Sequence, residues 1–84
     1  LLDCRTPKEF ELAKINGSVL IPLHELSQRF GELDKKKEIV VYCRIGGRSR
    51  FAVAILNKAG FNAKNLVGGI DAWSEQIDTS VPRY

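Results

Sequence analysis

A cysteine at position 43 opens the segment of this chain that is best equipped for chemistry. It follows an apolar run at residues 39–42, typical of a buried strand, and precedes residues with helical spacing. Backbone N–H groups at a helix start have no intrahelical partners, so they favour a nearby negative charge. A thiol placed there is expected to ionise easily and to act as a nucleophile. This role requires that the sulfur of Cys43 can be reached from solvent.

The residues that follow the cysteine form a short loop suited to an anionic group. Four residues separate Cys43 from Arg48, and two of the four are adjacent glycines. Glycines permit the backbone angles of a tight cup, in which amide N–H groups converge on what the sulfur carries. Arg44 and Arg48 add cationic donors that suit sulfate-like or carboxylate-like groups.

The same loop contains no histidine or carboxylate that could serve as a general acid. Reactions that need a general acid are therefore disfavoured, because the loop offers no proton donor of this kind. Sulfur exchange needs only a good nucleophile and a stabilised anion. This favours Cys43 as a carrier of sulfur. The second cysteine, Cys4, lies in an apolar strand and is predicted to be a small core residue.

Composition narrows the class of protein. The chain has 84 residues, of which 44% are hydrophobic and 27% charged, values ordinary for one soluble domain. No apolar stretch is long enough to cross a membrane. The net charge of +3 is dispersed, which suits an anionic substrate or an acidic partner but not nucleic acid. Two cysteines and one histidine predict neither a disulfide framework nor a metal site, and we expect a reducing, cytoplasmic setting and no cofactor.

Strand and helix patterns alternate along the chain. Thr6 and Glu9 have the spacing of a helix capping box, and the helix after them is expected to turn Phe10 and Leu12 inward. The alternation predicts an α/β fold, with a parallel sheet of about four or five short strands and helices on both faces. The expected strands cover residues 1–4, 19–21, 39–42 and 65–67, and the expected helices 7–13, 23–30, 48–59 and 70–77, with a tail at 81–84.

Taken in order, several short motifs resemble those of rhodanese-like sulfurtransferase domains, over nearly the whole chain. They stand at residues 2–10, 17–18, 21–22, 43–49 and 66–70, with Trp73 after the last. The resemblance implies a rhodanese-like fold and a persulfide carried on a catalytic Cys43. It also implies that the loop amides cradle the persulfide and that Arg48 helps to bind the donor. The substrate-binding residues would be Arg44, Ile45, Gly46, Gly47, Arg48 and Ser49.

The resemblance gives other residues supporting roles. Asp3 and Arg5 would tie the first strand end to its neighbouring loops. Gly68 and Gly69 would shape an adjacent loop. Trp73 would pack near the site, although packing in the core with no role toward substrate is the simpler interpretation of this residue. Cys4 stands where an aliphatic residue is common in the family.

The last residues, 73–84, are similar to the C-terminus of two-domain adenylyltransferase–sulfurtransferases of molybdopterin, thiamine and tRNA thiolation pathways. Together with a start at Leu1 rather than methionine, this predicts that the single domain at residues 1–84 is a fragment of a longer protein or lacks its first strand. The partners implied are a sulfur donor, either thiosulfate-like or a cysteine desulfurase persulfide, and a ubiquitin-like sulfur carrier.

Two alternatives remain open. A cysteine-dependent phosphatase or arsenate reductase also closes a cysteine loop with arginine, but it uses one more loop residue and a general acid, which we cannot place here. A non-catalytic module that docks a carrier protein would need an exposed patch, which sequence does not reveal.

Overall fold

The computed structural model describes residues 1–82, and its centre is one sheet of short parallel strands. The strands are β1 (Leu2–Asp3), β2 (Val19–Leu20), β3 (Glu38–Tyr42) and β4 (Asn62–Asn65). They lie in the order β2-β1-β3-β4, and each neighbouring pair is parallel. The carboxyl ends of all four strands therefore meet at one edge, which confirms the predicted α/β architecture.

The helices follow the strands as predicted, with local differences. They are α1 (Pro7–Leu12), α2 (Leu26–Arg29), α3 (Gly47–Lys58) and α4 (Gly69–Gln76), and 3-10 turns at Leu23–Glu25 and Phe30–Glu32 flank α2. The capping box of Thr6 and Glu9 is present at the start of α1. None of the helices within residues 1–82 is long and apolar enough to cross a membrane.

One expectation about α1 was wrong. Leu12 was expected to face inward, but it is 55% exposed, and no residue of α1 is buried. The helix is held by its ends instead. Its N-terminus is capped by Thr6, and the buried residues Ala13 and Ile15 follow its C-terminus.

Successive side chains of β3 enter two different cores, so both faces of the sheet are covered. Val41 belongs to the larger core, which lies between the sheet and the helices α2 and α3. Tyr42 belongs to a smaller core on the opposite face, together with Ile70 of α4. Its hydroxyl donates to Ser18 Oγ at 2.9 Å and accepts from the Ile15 amide at 3.2 Å. Helices on both faces are thus confirmed.

The last strand begins three residues earlier and ends two residues earlier than predicted. The expected strand at residues 65–67 was wrong because β4 pairs with β3 from Asn62 opposite Glu38 to Asn65 opposite Val41. Only Ala63 of this edge strand is buried, so its sequence lacks the apolar signal of a central strand. Val67 is 86% exposed on the turn that follows.

The chain after α4 departs from two further expectations. Ile77 was expected to continue the apolar stripe of α4, but the helix ends at Gln76 and Ile77 is 67% exposed. Val81 was assigned to a tail, yet it is buried in the smaller core, and Ser74 Oγ donates to its carbonyl oxygen. Trp73 packs against this same core, in line with its simpler interpretation. Arg83 and Tyr84 lie outside the described residues.

A fully buried ion pair closes the end of β1. The Arg5 guanidinium donates to both Asp3 carboxylate oxygens, with Nη2 at 2.7 Å from Oδ2 and Nε at 2.9 Å from Oδ1. The same Nη2 donates to the Ala13 carbonyl at 2.5 Å, which ties the strand end to the end of α1. Both side chains are 0% exposed. The expected role of Asp3 and Arg5 was to tie the end of the first strand to neighbouring loops. The hydrogen bonds from Arg5 to Asp3 and to the Ala13 carbonyl are the contacts that do so.

Arg5→Ala is expected to lower the free energy of unfolding by about 3 to 5 kcal/mol, because it leaves the Asp3 carboxylate buried without its partner. Urea unfolding followed by circular dichroism measures the change. Arg29→Ala is the matched control, since Arg29 pairs with Glu25 and Glu32 on the surface and its removal should have little effect. Equal losses in the two variants would contradict this account.

Candidate active site

Cys43 lies directly after β3, and its sulfur faces the start of α3. The loop from Arg44 to Gly46 turns the chain from the strand into the helix, which begins at Gly47. Gly46 takes a φ of +124°, a conformation that side chains other than glycine rarely adopt, which accounts for glycine at this turn. The sequence therefore placed the cysteine correctly between a buried strand and a helix N-terminus.

The start of α4 holds the loop from behind. The Ile70 amide donates to the Cys43 carbonyl at 2.9 Å, and the Asp71 amide donates to the Arg44 carbonyl at 3.0 Å. These amides belong to the first turn of α4 and have no partner within the helix. In a trans peptide the N–H points away from the C=O, so the Arg44 and Ile45 amides point away from α4.

Gly69 permits this close approach. It has a φ of +59°, and a Cβ built there would overlap the Cys43 carbonyl oxygen and lie 2.6 Å from that of Arg44. No neighbouring atom is a flexible side-chain end that could move aside, because the contacts are with backbone. The predicted role of Gly69 in shaping a neighbouring loop thus corresponds to direct packing against the cysteine loop.

Donors from the loop and from α3 surround the Cys43 sulfur. The Gly46 amide donates to Sγ at 3.0 Å, and Ser49 Oγ lies 3.5 Å from Sγ. Ser49 Oγ also contacts the Gly46 carbonyl and Asn65 Oδ1. A hydroxyl carries one proton, so it can donate to only one of these three acceptors at a time.

These neighbours favour the ionised form of Cys43. The Cys4 thiol lowers the pKa of Cys43 most, burial opposes it, and the Ser49 hydroxyl with the amides of Ser49 and Gly46 lowers it further, to about 4. The pKa of Cys4 is raised far above its ordinary value by the interaction with Cys43 and by burial. At neutral pH the site therefore holds one thiolate beside one thiol.

The expectation that the sulfur is open to solvent was wrong for this conformation. Cys43 is only 1% exposed, because the loop and α3 cover it. A cleft of about 390 Å³ opens on the outer side of the loop, and its lining includes Ile45, Gly46, Gly47, Arg50, Asn65, Val67 and Gly68. Ile45 and Gly47 are exposed in this cleft, so the loop itself separates the sulfur from the cleft.

Arg48, which was expected to help bind the donor, is engaged by a carboxylate. Its guanidinium makes a bidentate pair with Glu9, at 2.5 Å from Nη1 to Oε1 and 2.8 Å from Nη2 to Oε2. Glu9 also completes the cap of α1, so this pair fastens α1 to the beginning of α3. In this conformation Arg48 positions elements around the loop.

Sequence reasoning missed three residues of the site. Asn65 was assigned to a strand, Glu9 only to a helix cap, and Cys4 only to the core. All three reach the site from other elements, over separations of 16 residues from Asn65 to Ser49 and 39 from Glu9 to Arg48. No local motif signals such contacts, although Cys4 could have been suspected because the predicted parallel sheet brings strand ends together.

The fold and the cysteine loop together define a class of protein. They combine a parallel sheet with a cysteine and a tight amide-lined loop at a helix N-terminus. The chain belongs to the rhodanese-like domain family, which it matches over residues 1–76.

Relatives and solved structures agree with this assignment. The chain is 40% identical over 75 residues to a sulfurtransferase of Allochromatium vinosum, covering 88% of this chain and 70% of that protein. It is 39% identical over 92 residues to an adenylyltransferase and sulfurtransferase, MOCS3-2, of Zea mays, covering 100% of this chain but only 19% of that protein. A rhodanese-related protein from Thermoplasma volcanium superposes with a TM-score of 0.87 at 37% identity, covering 90% of this chain and 76% of that one.

Gly69→Ala is expected to lower the free energy of unfolding by about 2 kcal/mol or more, since the new Cβ is strained and displaces the loop. Chemical unfolding of the purified protein measures the loss. Gly31→Ala serves as the control, because a Cβ at Gly31 meets no atom within 4 Å. A Gly69→Ala protein as stable as the control would show that the close approach has no energetic importance.

The alkylation rate of Cys43 should stay nearly constant through neutral pH and fall only as the pH approaches about 4. Iodoacetamide reacts with the thiolate, and peptide mass spectrometry distinguishes Cys43 from Cys4. Because the folded pKa lies below the unfolded one, the thiolate stabilises the fold most fully above the unfolded pKa, and this stabilisation is lost as pH falls through the folded value.

Ser49→Ala removes one donor and should move the midpoint of that profile to higher pH. Ser80→Ala is the control, because Ser80 is an exposed serine that contacts Asp78 far from the loop in sequence. A wild-type midpoint near the ordinary pKa of cysteine, about 8.5, would overturn the assignment of a thiolate.

Proposed function

We propose that this protein is a sulfurtransferase that carries a persulfide on Cys43. The observation that carries the proposal is the 3.0 Å hydrogen bond from the Gly46 amide to Cys43 Sγ, in a loop that begins with the Cys43 and Arg44 carbonyls turned toward α4. Main-chain donors that stabilise a thiolate also suit the anionic outer sulfur of a persulfide. Membership of the rhodanese-like family supports the same reaction class.

The proposed reaction has two steps, neither of which needs a general acid. The Cys43 thiolate attacks the sulfane sulfur of a donor such as thiosulfate, the S–S bond of the donor breaks, and sulfite leaves with the electron pair. An acceptor nucleophile then attacks the outer sulfur of the persulfide, and the Cys43 thiolate is the leaving group. The low pKa of Cys43 makes it a good leaving group in this second step.

The burial of Cys43 requires that the loop moves before a donor can react. We infer that Ile45 and Gly46 shift outward into the cleft, since these residues line it and the Gly46 amide contacts Sγ. Arg44 and Arg50 are both exposed, and Arg50 lines the cleft, so both can attract an anionic donor to this side. Once loaded, the outer sulfur would lie among the loop amides.

The identity of the donor and acceptor is also a proposal. The chain spans 19% of the Zea mays relative and 22% of a Mycobacterium tuberculosis relative named as a probable adenylyltransferase/sulfurtransferase, MoeZ. By analogy with such proteins we propose that a ubiquitin-like carrier accepts the sulfur, and that thiosulfate or a cysteine desulfurase persulfide donates it. Both described cysteines are free thiols, which supports a reducing compartment such as the cytoplasm.

Of the alternatives, phosphatase chemistry receives the least support. The Arg48 guanidinium that would bind phosphate is engaged by Glu9. The one histidine, His24, lies in the 3-10 turn Leu23–Glu25 and not in the cysteine loop. Its side chain is well exposed and lies 3.4 Å from Glu25 of the same turn. Carrier docking has more support and is compatible with catalysis, because Ile45 and Val67 are 66% and 86% exposed beside the cleft.

Thiosulfate is expected to load one sulfur atom onto the reduced protein, as measured by intact mass after the excess is removed. The added mass should map to the peptide that contains Cys43 and should be absent from Cys43→Ala. Ser80→Ala, which leaves the loop intact, should load like the wild type. No added mass and no released sulfide from the wild type, or equal added mass on Cys43→Ala, would refute the proposal.

A further inference from the structure

The Cys4 side chain lies beside Cys43 at the ends of two neighbouring strands. Strands β1 and β3 are parallel and in register, with Asp3 opposite Tyr42, so the two cysteines follow as the next pair. The Cys4 amide donates to the Tyr42 carbonyl at 3.1 Å, which extends the pairing to this point. Neighbouring strands lie about 4.8 Å apart, within the Cα separation of about 4.4 to 6.8 Å found in disulfides.

The two thiols also point to the same face of the sheet. Side chains alternate along a strand, and both cysteines share the larger core with Leu2 and Val41, which stand two positions earlier. Each cysteine is 1% exposed, and both are free thiols. The Cys4 thiol lies 3.4 Å from the Tyr42 carbonyl oxygen, and it is the neighbour with the largest effect on the pKa of Cys43.

Packing alone does not require a thiol at position 4. A small apolar side chain would fill the same space in the core, as Ala52 and Ala63 do elsewhere in it. A thiol beside the proposed sulfur-carrying cysteine, on the same face of paired strands, adds a reaction that no aliphatic side chain offers. The placement therefore points to chemistry between the two residues.

We propose that Cys4 is the resolving thiol of Cys43, which attacks Sγ of the Cys43 persulfide, closes a Cys4–Cys43 disulfide and releases the outer sulfur as hydrosulfide. This inference rests on the proposed function, because it begins from the persulfide. The Sγ–S bond of the persulfide breaks, and the outer sulfur leaves with the electron pair and takes up the Cys4 proton. The Cys4 sulfur is oxidised from the thiol to the disulfide level, the Cys43 sulfur stays at the disulfide level, and the outer sulfur is reduced to sulfide, so no further oxidant is needed.

The charge distribution allows this step only after loading. In the reduced protein the Cys43 thiolate raises the pKa of Cys4 and keeps its proton in place. In the persulfide the negative charge moves to the outer sulfur, so the largest cause of that elevation is removed. A persulfide that meets no acceptor is therefore discharged, and a dithiol reductant returns the disulfide to the active thiol pair.

The test follows the loaded protein in the absence of an acceptor. Wild type and Cys4→Ala are loaded with thiosulfate and desalted, and released sulfide, intact mass and disulfide-linked peptides are measured over time, per persulfide loaded. We expect the wild type to release hydrosulfide as a linked Cys4–Cys43 peptide appears, and both signals to be lost in Cys4→Ala. Cys4→Ser provides a second variant should Cys4→Ala be unstable.

The outcomes separate this inference from the proposed function. Loading followed by sulfide release at equal rates in wild type and both variants, or with no linked peptide, overturns the role of Cys4 alone. Failure of both the wild type and Cys4→Ala to gain a sulfur atom, with no sulfide released from either, overturns the proposed function. In that case the thiol oxidant diamide, applied to the reduced wild type, still decides whether the two thiols can join: a linked peptide supports the pairing, and its absence overturns it.

Discussion

The whole site depends on the contact between the first turn of α4 and the peptide groups that follow β3. Two amides of α4 hold the Cys43 and Arg44 carbonyls, and Gly69 leaves room for them to do so. With these carbonyls turned to one side, the following amides point to the other, where an anion can be bound. The main-chain amides of the loop therefore add to the effect of the Cys4 thiol, which lowers the pKa of Cys43 most, and together they favour a thiolate.

Two ion pairs, one fully buried and one partly exposed, hold the elements around this contact. Asp3 and Arg5 fix the end of β1 next to the site, while Glu9 and Arg48 fasten α1 to the start of α3. Arg48 thus links two helices through Glu9, a role that differs from direct binding of the sulfur donor. The end of β1, the start of α3 and the start of α4 bound the site, and the exposed loop residue Ile45 lines the cleft on its remaining side.

Much of this arrangement could be predicted from sequence because the signals are local. The apolar run of β3, the glycines of the loop and the helical spacing of α3 are contiguous, and the structure places all three as predicted. The polar edge strand β4 was misplaced because edge strands carry a weak apolar pattern. The burial of Cys43 was missed because it depends on how the loop folds over the sulfur, which residue types alone do not reveal.

The contacts between distant parts of the chain were the hardest to predict. The Glu9–Arg48 pair and the neighbouring thiols of Cys4 and Cys43 arise from strand order and helix placement. A pattern search assigns Cys4 to the core, and that assignment is correct as far as burial is concerned. The position of Cys4 next to Cys43 becomes visible only when β1 and β3 are paired in parallel register.

A crystal structure of the thiosulfate-treated protein tests the central claim most directly. The account predicts one additional sulfur atom bonded to Cys43 Sγ, within hydrogen-bond distance of main-chain N–H groups between Arg44 and Ser49. An additional sulfur that points away from those amides, or lies on the side of α4, would contradict the claim that the loop backbone holds it.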